Sequence, residues 1–247
     1  MLNGLVTAVR TLTIFPVPGQ ECGLKRDALP WFALVGLVIG TLQFICGSLV
    51  LHYASSLAVF IGLFLAGINY LITGALHLDG LADTADAFGT FHTREKTLGI
   101  LKDPHIGTFG VLALVSIVIW RIIACYQLGI GNGLYWLILC CGSSRAIQAV
   151  ILSIIPYARG KEGKAFGFGA SAAMAVFLSG QFIMFPAVSG ISGELLMFIV
   201  PFCTGALMTV PVLWMFIKRI GGITGDGIGA VTEVYEVFFL TAAVMAG

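Results

Sequence analysis

Hydrophobic residues in this chain fall into long runs that polar residues interrupt at intervals. Six runs, 30–51, 57–78, 110–130, 134–155, 170–189 and 195–217, are nearly free of charge. Each is long enough for a helix to cross a hydrocarbon core of about 30 Å, which takes roughly 20 residues. The last run, Val237–Gly247, is short by itself. A helix that begins near Asp226 extends it to 22 residues, or roughly 33 Å at about 1.5 Å each. That seventh span carries Asp226, Glu233 and Glu236 in its first half. Met1–Phe15 has Arg10 in its middle and Pro16 and Pro18 after it, which lacks the order of a secretory signal. It reads as a short interfacial or buried helix.

The polar connections are asymmetric in charge. Alternate ones hold Arg10, Lys25 and Arg26, then Arg94, Lys96 and Lys102, then Arg159, Lys161 and Lys164, then Lys218 and Arg219. The opposite connections, 52–56, 131–133 and 190–194, hold no Lys or Arg. Positive loops stay on the cytoplasmic side, so the N-terminus is expected inside a multi-pass cytoplasmic (inner) membrane protein. Composition agrees. Of 247 residues, 58% are hydrophobic and 10% are charged, where a soluble domain has about 25% charged. An ordinary soluble enzyme, a disordered chain and a nucleic-acid binder are excluded. A net charge of +1 gives no field to steer an anionic partner. Five of the six cysteines lie in apolar runs and no ligand spacing joins them, so they read as packing residues. The expected fold is all-α, a single polytopic transmembrane domain over residues 1–247 with about seven spans in lipid. The sequence leaves oligomeric state open, a homo-oligomer included.

The inner connection Asp79–Phe109 holds five of the twelve acids. Long connections of this kind are usually functional or disordered, and its Gly, Asp and His content favours function. At its start stands His77-Leu78-Asp79-Gly80-Leu81-Ala82-Asp83-Thr84-Ala85-Asp86. At about 100° per residue, Asp83 lies about 40° from Asp79, and Asp86 about 20° on the other side. Three carboxylates on one face repel one another, and a hard cation such as Mg²⁺ removes the conflict. The alternative is a solvated interfacial face. His77 reads as a polar helix-end or substrate hydrogen bonder. In Lys102-Asp103-Pro104-His105-Ile106-Gly107-Thr108-Phe109-Gly110, Lys102 can neutralise a phosphate and Asp103 can add a metal ligand; a plain interfacial turn is the alternative. Tyr157-Ala158-Arg159-Gly160-Lys161-Glu162-Gly163-Lys164 serves either phosphate binding or positive-inside charge. Gly221-Gly222-Ile223-Thr224-Gly225-Asp226-Gly227-Ile228-Gly229 puts an acid among glycines, as close approach to a ligand or metal requires, and Glu233 follows on the same helical face. Arg145 sits within a span, where it must face the interior. A substrate phosphate is its expected partner, with Glu233 or Glu236 as the structural alternative. Arg121 is expected to snorkel or pair.

Together, HLDGLADTAD (77–86), KDPHIGTFG (102–110), YARGKEG (157–163) and GGITGDGIGA (221–230) resemble the cobalamin synthase, or adenosylcobinamide-GDP ribazoletransferase, family. The resemblance runs from TLTIFPVP (11–18) to the C-terminus. One departure is Pro104-His105, where many relatives have Ser then Arg. It implies a cytoplasmic-facing active site that joins adenosylcobinamide-GDP to α-ribazole or its 5′-phosphate, releases GMP and requires Mg²⁺. On that reading Asp79, Asp83, Asp86 and Asp103 hold metal, and Asp86 or Asp226 is the general base. His77, Lys102, His105, Arg145, Arg159, Lys161 and Glu233 then contact substrate. A CDP-alcohol phosphotransferase uses similar physics, but Asp83 stands where its motif has Arg. An ion-coupled transporter would spread its acids through the midplane instead.

The charge partition predicts topology directly. In a chain stripped of its native cysteines, Asn132→Cys should be labelled from outside and Glu162→Cys from the cytoplasm. Labelling of both from one side would overturn the orientation.

Overall fold

The computed structural model describes residues 2–159 and 194–246. Among them the chain is helical, with one isolated backbone bridge between Tyr157 and Ile223. The helices are α1 (Leu2–Leu12), α2 (Leu29–Tyr53), α3 (Ile61–Thr73), α4 (Leu76–Phe88), α5 (Arg94–Ile100), α6 (Thr108–Ile130), α7 (Trp136–Ile154), α8 (Glu194–Ile220) and α9 (Gly225–Ala246). Six helical segments among the described residues are long and apolar enough to cross a membrane. They match every expected span except 170–189, which lies outside the described residues. The final span starts at Gly225, as the extension back to Asp226 requires. The N-terminal segment is the short helix α1, which buries Gly4, Thr7, Ala8 and Leu12 at helical spacing.

Two expectations need correction. The second span does not run to residue 78. It ends at Thr73, where Gly74 and Ala75 both take left-handed backbone angles, φ 63° and 54°. Such a pair ends a helix and redirects the chain, so His77 and the acids stand on a separate helix, α4. The Asp79–Phe109 connection is also not a loop, because α4 and α5 occupy most of it.

Burial sorts the helices. The most apolar windows of α9 and α7 are 72% and 67% buried, against 22–33% for the other spans, so these two form the centre. The outer helices turn apolar rows outward, Leu34, Val38, Ile45 and Leu49 on α2 and Val111, Val115, Ile119 and Ile123 on α6. That is the surface lipid requires. α2 lies against α7 at backbone distance. A Cβ on Gly40 would come within 2.5 Å of the Ile138 Cα, and one on Gly36 would strike the Cys141 carbonyl. This is the small-xxx-small approach that packs helices where lipid removes the hydrophobic drive.

The buried charges lie at this centre. Arg121 on α6 reaches Glu233 at 2.9 Å and Glu236 at 2.8 Å, both on α9. Arg145 on α7 reaches Glu236 at 2.5 Å, and Ser144 donates to the same carboxylate at 2.7 Å. The Arg121 guanidinium also stacks over the Tyr70 ring of α3, 5.3 Å from its centroid. Two cations and two anions sum to zero, so four helices share a neutral polar knot inside an apolar bundle.

Removing one member strands the others. Arg145→Ala should lower folded stability by about 3–5 kcal/mol, measured by thermal unfolding in detergent, and Glu236→Gln on top should recover part of it. Wild-type stability with a raised substrate KM would return Arg145 to a phosphate contact.

Candidate functional site

The site forms where α4 crosses α9. At Gly80 a Cβ would lie 2.7 Å from the Asp226 carbonyl, and at Gly229 one would lie 3.0 Å from the His77 carbonyl. The two helices therefore touch main chain to main chain, so Gly80 and Gly229 serve the approach, while Gly227 makes room for Ile223 and Phe216. The crossing brings Asp79 and Asp83 into the electrostatic range of Asp226. A second lacing adds a cation. Ile223 N–H donates to the Pro156 carbonyl at 2.8 Å, and Ala158 N–H to the Ile223 carbonyl at 2.9 Å. That fixes Arg159, whose Nη2 donates to Asp226 Oδ2 at 2.8 Å and to the Leu101 carbonyl at 2.9 Å.

These groups border a cavity of about 280 Å³ between α1, α2, α4, α7 and α9. Its polar lining includes His77, Asp79, Gln148, Tyr157, Arg159 and Asp226, and its apolar wall includes Leu12, Phe32, Leu152 and Ile228. His77 is buried, and its Nε2 lies 3.0 Å from Gln148 Nε2. Burial, then the nearby Arg145 charge, pushes the imidazole down to about 3. His77 is thus a neutral hydrogen-bonding group.

Electrostatics single out Asp83. Partial burial, then Asp79 and Asp226, raise its carboxyl to about 6. Like charges that hold a carboxyl up mark a place where a cation would relieve strain. Among the described residues no three acidic, His or Cys side chains converge as a ready-made cage. Mg²⁺ does not need one, since it commonly takes one or two carboxylates and completes its shell with substrate phosphates and water. The hard oxygen donors of Asp79 and Asp83 fit that mode.

The structure gathers some of the expected residues and reassigns others. His77, Asp79, Arg159 and Asp226 line one cavity, with Asp83 beside it. Asp86 is on the same helix but is engaged. Its Oδ2 accepts from Gly107 N–H at 2.7 Å and its Oδ1 from Gly110 N–H at 2.8 Å. It is the anion at the N-terminus of α6, and a Cβ on either glycine would collide with it. Metal ligation or base catalysis by Asp86 would take that cap away. Asp103 pairs with His105, accepting from its backbone N–H at 3.0 Å and meeting its Nδ1 at 2.6 Å. These hydrogen bonds, the backbone one foremost, lower the exposed Asp103 carboxyl. The two close an exposed turn, with Lys102 next to it. Arg145 and Glu233 are enclosed in the charge knot and are not among the residues that line the cavity. Lys161 lies outside the described residues. Sequence reasoning missed Gln148, because a lone amide within an apolar run carries no motif. It also missed Phe32 and Leu152, which only the fold brings to the acids.

The chain matches the family described as cobalamin-5-phosphate synthase over residues 4–244. It is 36% identical to the adenosylcobinamide-GDP ribazoletransferase of Chlorobium phaeobacteroides, with 98% of each chain covered. It is 39% identical to the protein of that name from Chlorobium phaeovibrioides, covering 100% of this chain and 98% of the relative. The Acinetobacter baumannii protein of that name is 31% identical, covering 97% and 96%. No solved structure matches.

The role of Asp86 is open to direct test. Asp86→Ala should cost about 1–2 kcal/mol of stability through the lost cap, with faster amide exchange at residues 107–110. Unchanged exchange there would remove the capping role.

Proposed function

This chain belongs to the cobalamin-5-phosphate synthase family, and on that premise we propose that it joins adenosylcobinamide-GDP to α-ribazole or its 5′-phosphate and releases GMP. We place the reaction at the cytoplasmic face of the inner membrane and make it Mg²⁺-dependent. The chain is a transferase and a multi-pass membrane protein. The observation that carries the finer reading is the juxtaposition of Asp79, Asp226 and the Arg159 guanidinium in one cavity lining, with Asp83 beside them in electrostatic range.

The chemistry follows from those groups. A hydroxyl oxygen of the ribazole forms a bond to the phosphorus that carries the cobinamide. The bond from that phosphorus to the bridging oxygen breaks, and GMP leaves with it. Asp226 lines the cavity and takes the hydroxyl proton, as a general base within reach of the acceptor must. Arg159 holds Asp226 in place, and on this reading its charge is assigned to the leaving phosphate. Asp79 and Asp83 are the residues that would hold Mg²⁺, whose contribution when bound is to neutralise charge on the pyrophosphate oxygens. The enclosing wall from α1 and α2 keeps water from competing with the ribazole hydroxyl. The face follows from charge, since Arg94, Arg159 and Arg219, all in connections expected inside, make their contacts at this end.

The test is GMP release by the purified chain in detergent with adenosylcobinamide-GDP and α-ribazole. Release should require Mg²⁺, and Asp79→Asn or Asp83→Asn should each fall below roughly a tenth of wild type, a barrier increase of about 1.4 kcal/mol or more. CMP release from a CDP-alcohol, or no nucleotide release, would overturn the reading.

A further inference from the structure

We infer that Arg94 is a positioning residue: from outside the cavity lining it holds the joint that aims Arg159 at Asp226. The inference rests on the reaction proposed above, in which Asp226 takes the proton. Arg94 is exposed and is the first residue of α5. A cation in the first turn of a helix opposes its dipole, and Glu95 beside it is the residue type that end favours. Arg94 therefore gains its own helix nothing. Its side chain leaves α5 and donates to two carbonyls remote in sequence. Nε reaches that of Ile220 at 3.1 Å, and Nη2 that of Ala158 at 3.2 Å.

The two carbonyls flank the site from both directions. Ile220 ends α8, where the last carbonyls lack helical partners, and the chain turns through Gly221, at φ 79°, toward α9. Ala158 directly precedes Arg159. Its N–H already donates to the Ile223 carbonyl at 2.9 Å, so Arg94 secures its other polar group. The far end of α5 then meets Arg159 itself. Leu101, which caps that helix, accepts from Arg159 Nη2 at 2.9 Å, and the same nitrogen donates to Asp226. A single short helix thus grips the segment twice, by the Arg94 fork at its start and by a carbonyl at its end. Leu101, Ala158, Ile220 and Ile223 also pack in one buried cluster, but apolar contact fixes no direction. A planar guanidinium with two donors does, and an ammonium lacks that fork. Release of the fork would leave Arg159 and Asp226 present but free to shift, and a displacement of about 1 Å can cost about 10²-fold in rate.

Three variants of the full chain in detergent test this. Arg94→Gln removes the fork, Arg94→Lys keeps the charge without it, and Lys96→Gln removes the same charge from an exposed position on the same helix. In GMP-release kinetics both Arg94 variants should lose at least about tenfold in kcat, with KM for each substrate within about twofold of wild type. Lys96→Gln should keep the wild-type kcat. Hydrogen exchange at the Ala158 and Ile223 amides should quicken at least about tenfold in both Arg94 variants and hold in α7. A merely structural Arg94 would lower the melting temperature and leave kcat per folded enzyme unchanged, and that result overturns the inference. So do unchanged exchange at the two amides, a raised KM without loss of kcat, or an equal loss in Lys96→Gln. Arg94→Lys carries the test where Arg94→Gln does not fold. GMP release by the wild type with full kcat in the Arg94 variants removes the positioning role and leaves the reaction standing. If the wild type releases no GMP the reaction falls, and exchange alone then decides whether Arg94 holds the joint.

Discussion

Four ionised groups at the centre of an apolar bundle constrain everything around them. Arg121, Arg145, Glu233 and Glu236 have little solvent to turn to, being 0–2% exposed, so each depends on a partner from another helix. Ion pairs of this kind add little net stability compared with apolar packing of the same shape, but the loss of one partner is severe. Their value lies in register. A slide of α9 by one turn past α6 or α7 would leave charges facing hydrocarbon, a penalty that unspecific Leu and Val packing between lipid-bathed helices cannot impose. Because α9 also carries Asp226, its register at the centre sets where that acid emerges at the mouth.

The sequence displayed the bundle and hid most of its joints. Spans were legible because crossing hydrocarbon demands runs of apolar residues, and α9 was legible even with three acids because its length closes only if it starts near Asp226. The break at Gly74 was not legible. Gly74-Ala75 lies inside a stretch without Asp, Glu, Lys or Arg, and only the backbone angles reveal that the chain turns there. The acids Asp79 and Asp83 could be grouped from helical spacing alone. Asp86 shares that spacing yet has a different fate, because its partners, two backbone N–H groups some twenty residues on, leave no mark in residue type beyond the glycines themselves. Arg145 shows the same limit. Its need for a partner could be read from its depth, but the choice between a phosphate and Glu236 depended on how α7 faces α9.

The mouth divides its charges by task. Asp86 gives both oxygens to the start of α6 and so anchors the turn that carries Asp103 and His105. Arg159 bridges the segment after α7, the end of α5 and the start of α9 in one guanidinium. Among the described residues Asp79 and Asp83 carry no such structural commitment, and they stand on the helix that the Gly74 break frees from the span before it. Anchoring groups thus surround the acids assigned to chemistry.

Where α4 meets α9 at Gly80 and Gly229, no side chain lies between the two main chains. The separation of Asp79 from Asp226 therefore has no adjustable spacer in it. Substitution at the crossing can only push the helices apart, and rotation of α9 is resisted by the charges lower down. On the proposed reaction, variation among acceptors falls to the other side of the cavity, where α1 and α2 contribute Leu12 and Phe32 as apolar surface. On the proposed reading the spacing of the acids is cast in backbone while the wall opposite them is written in side chains, and that wall can change without disturbing the acids.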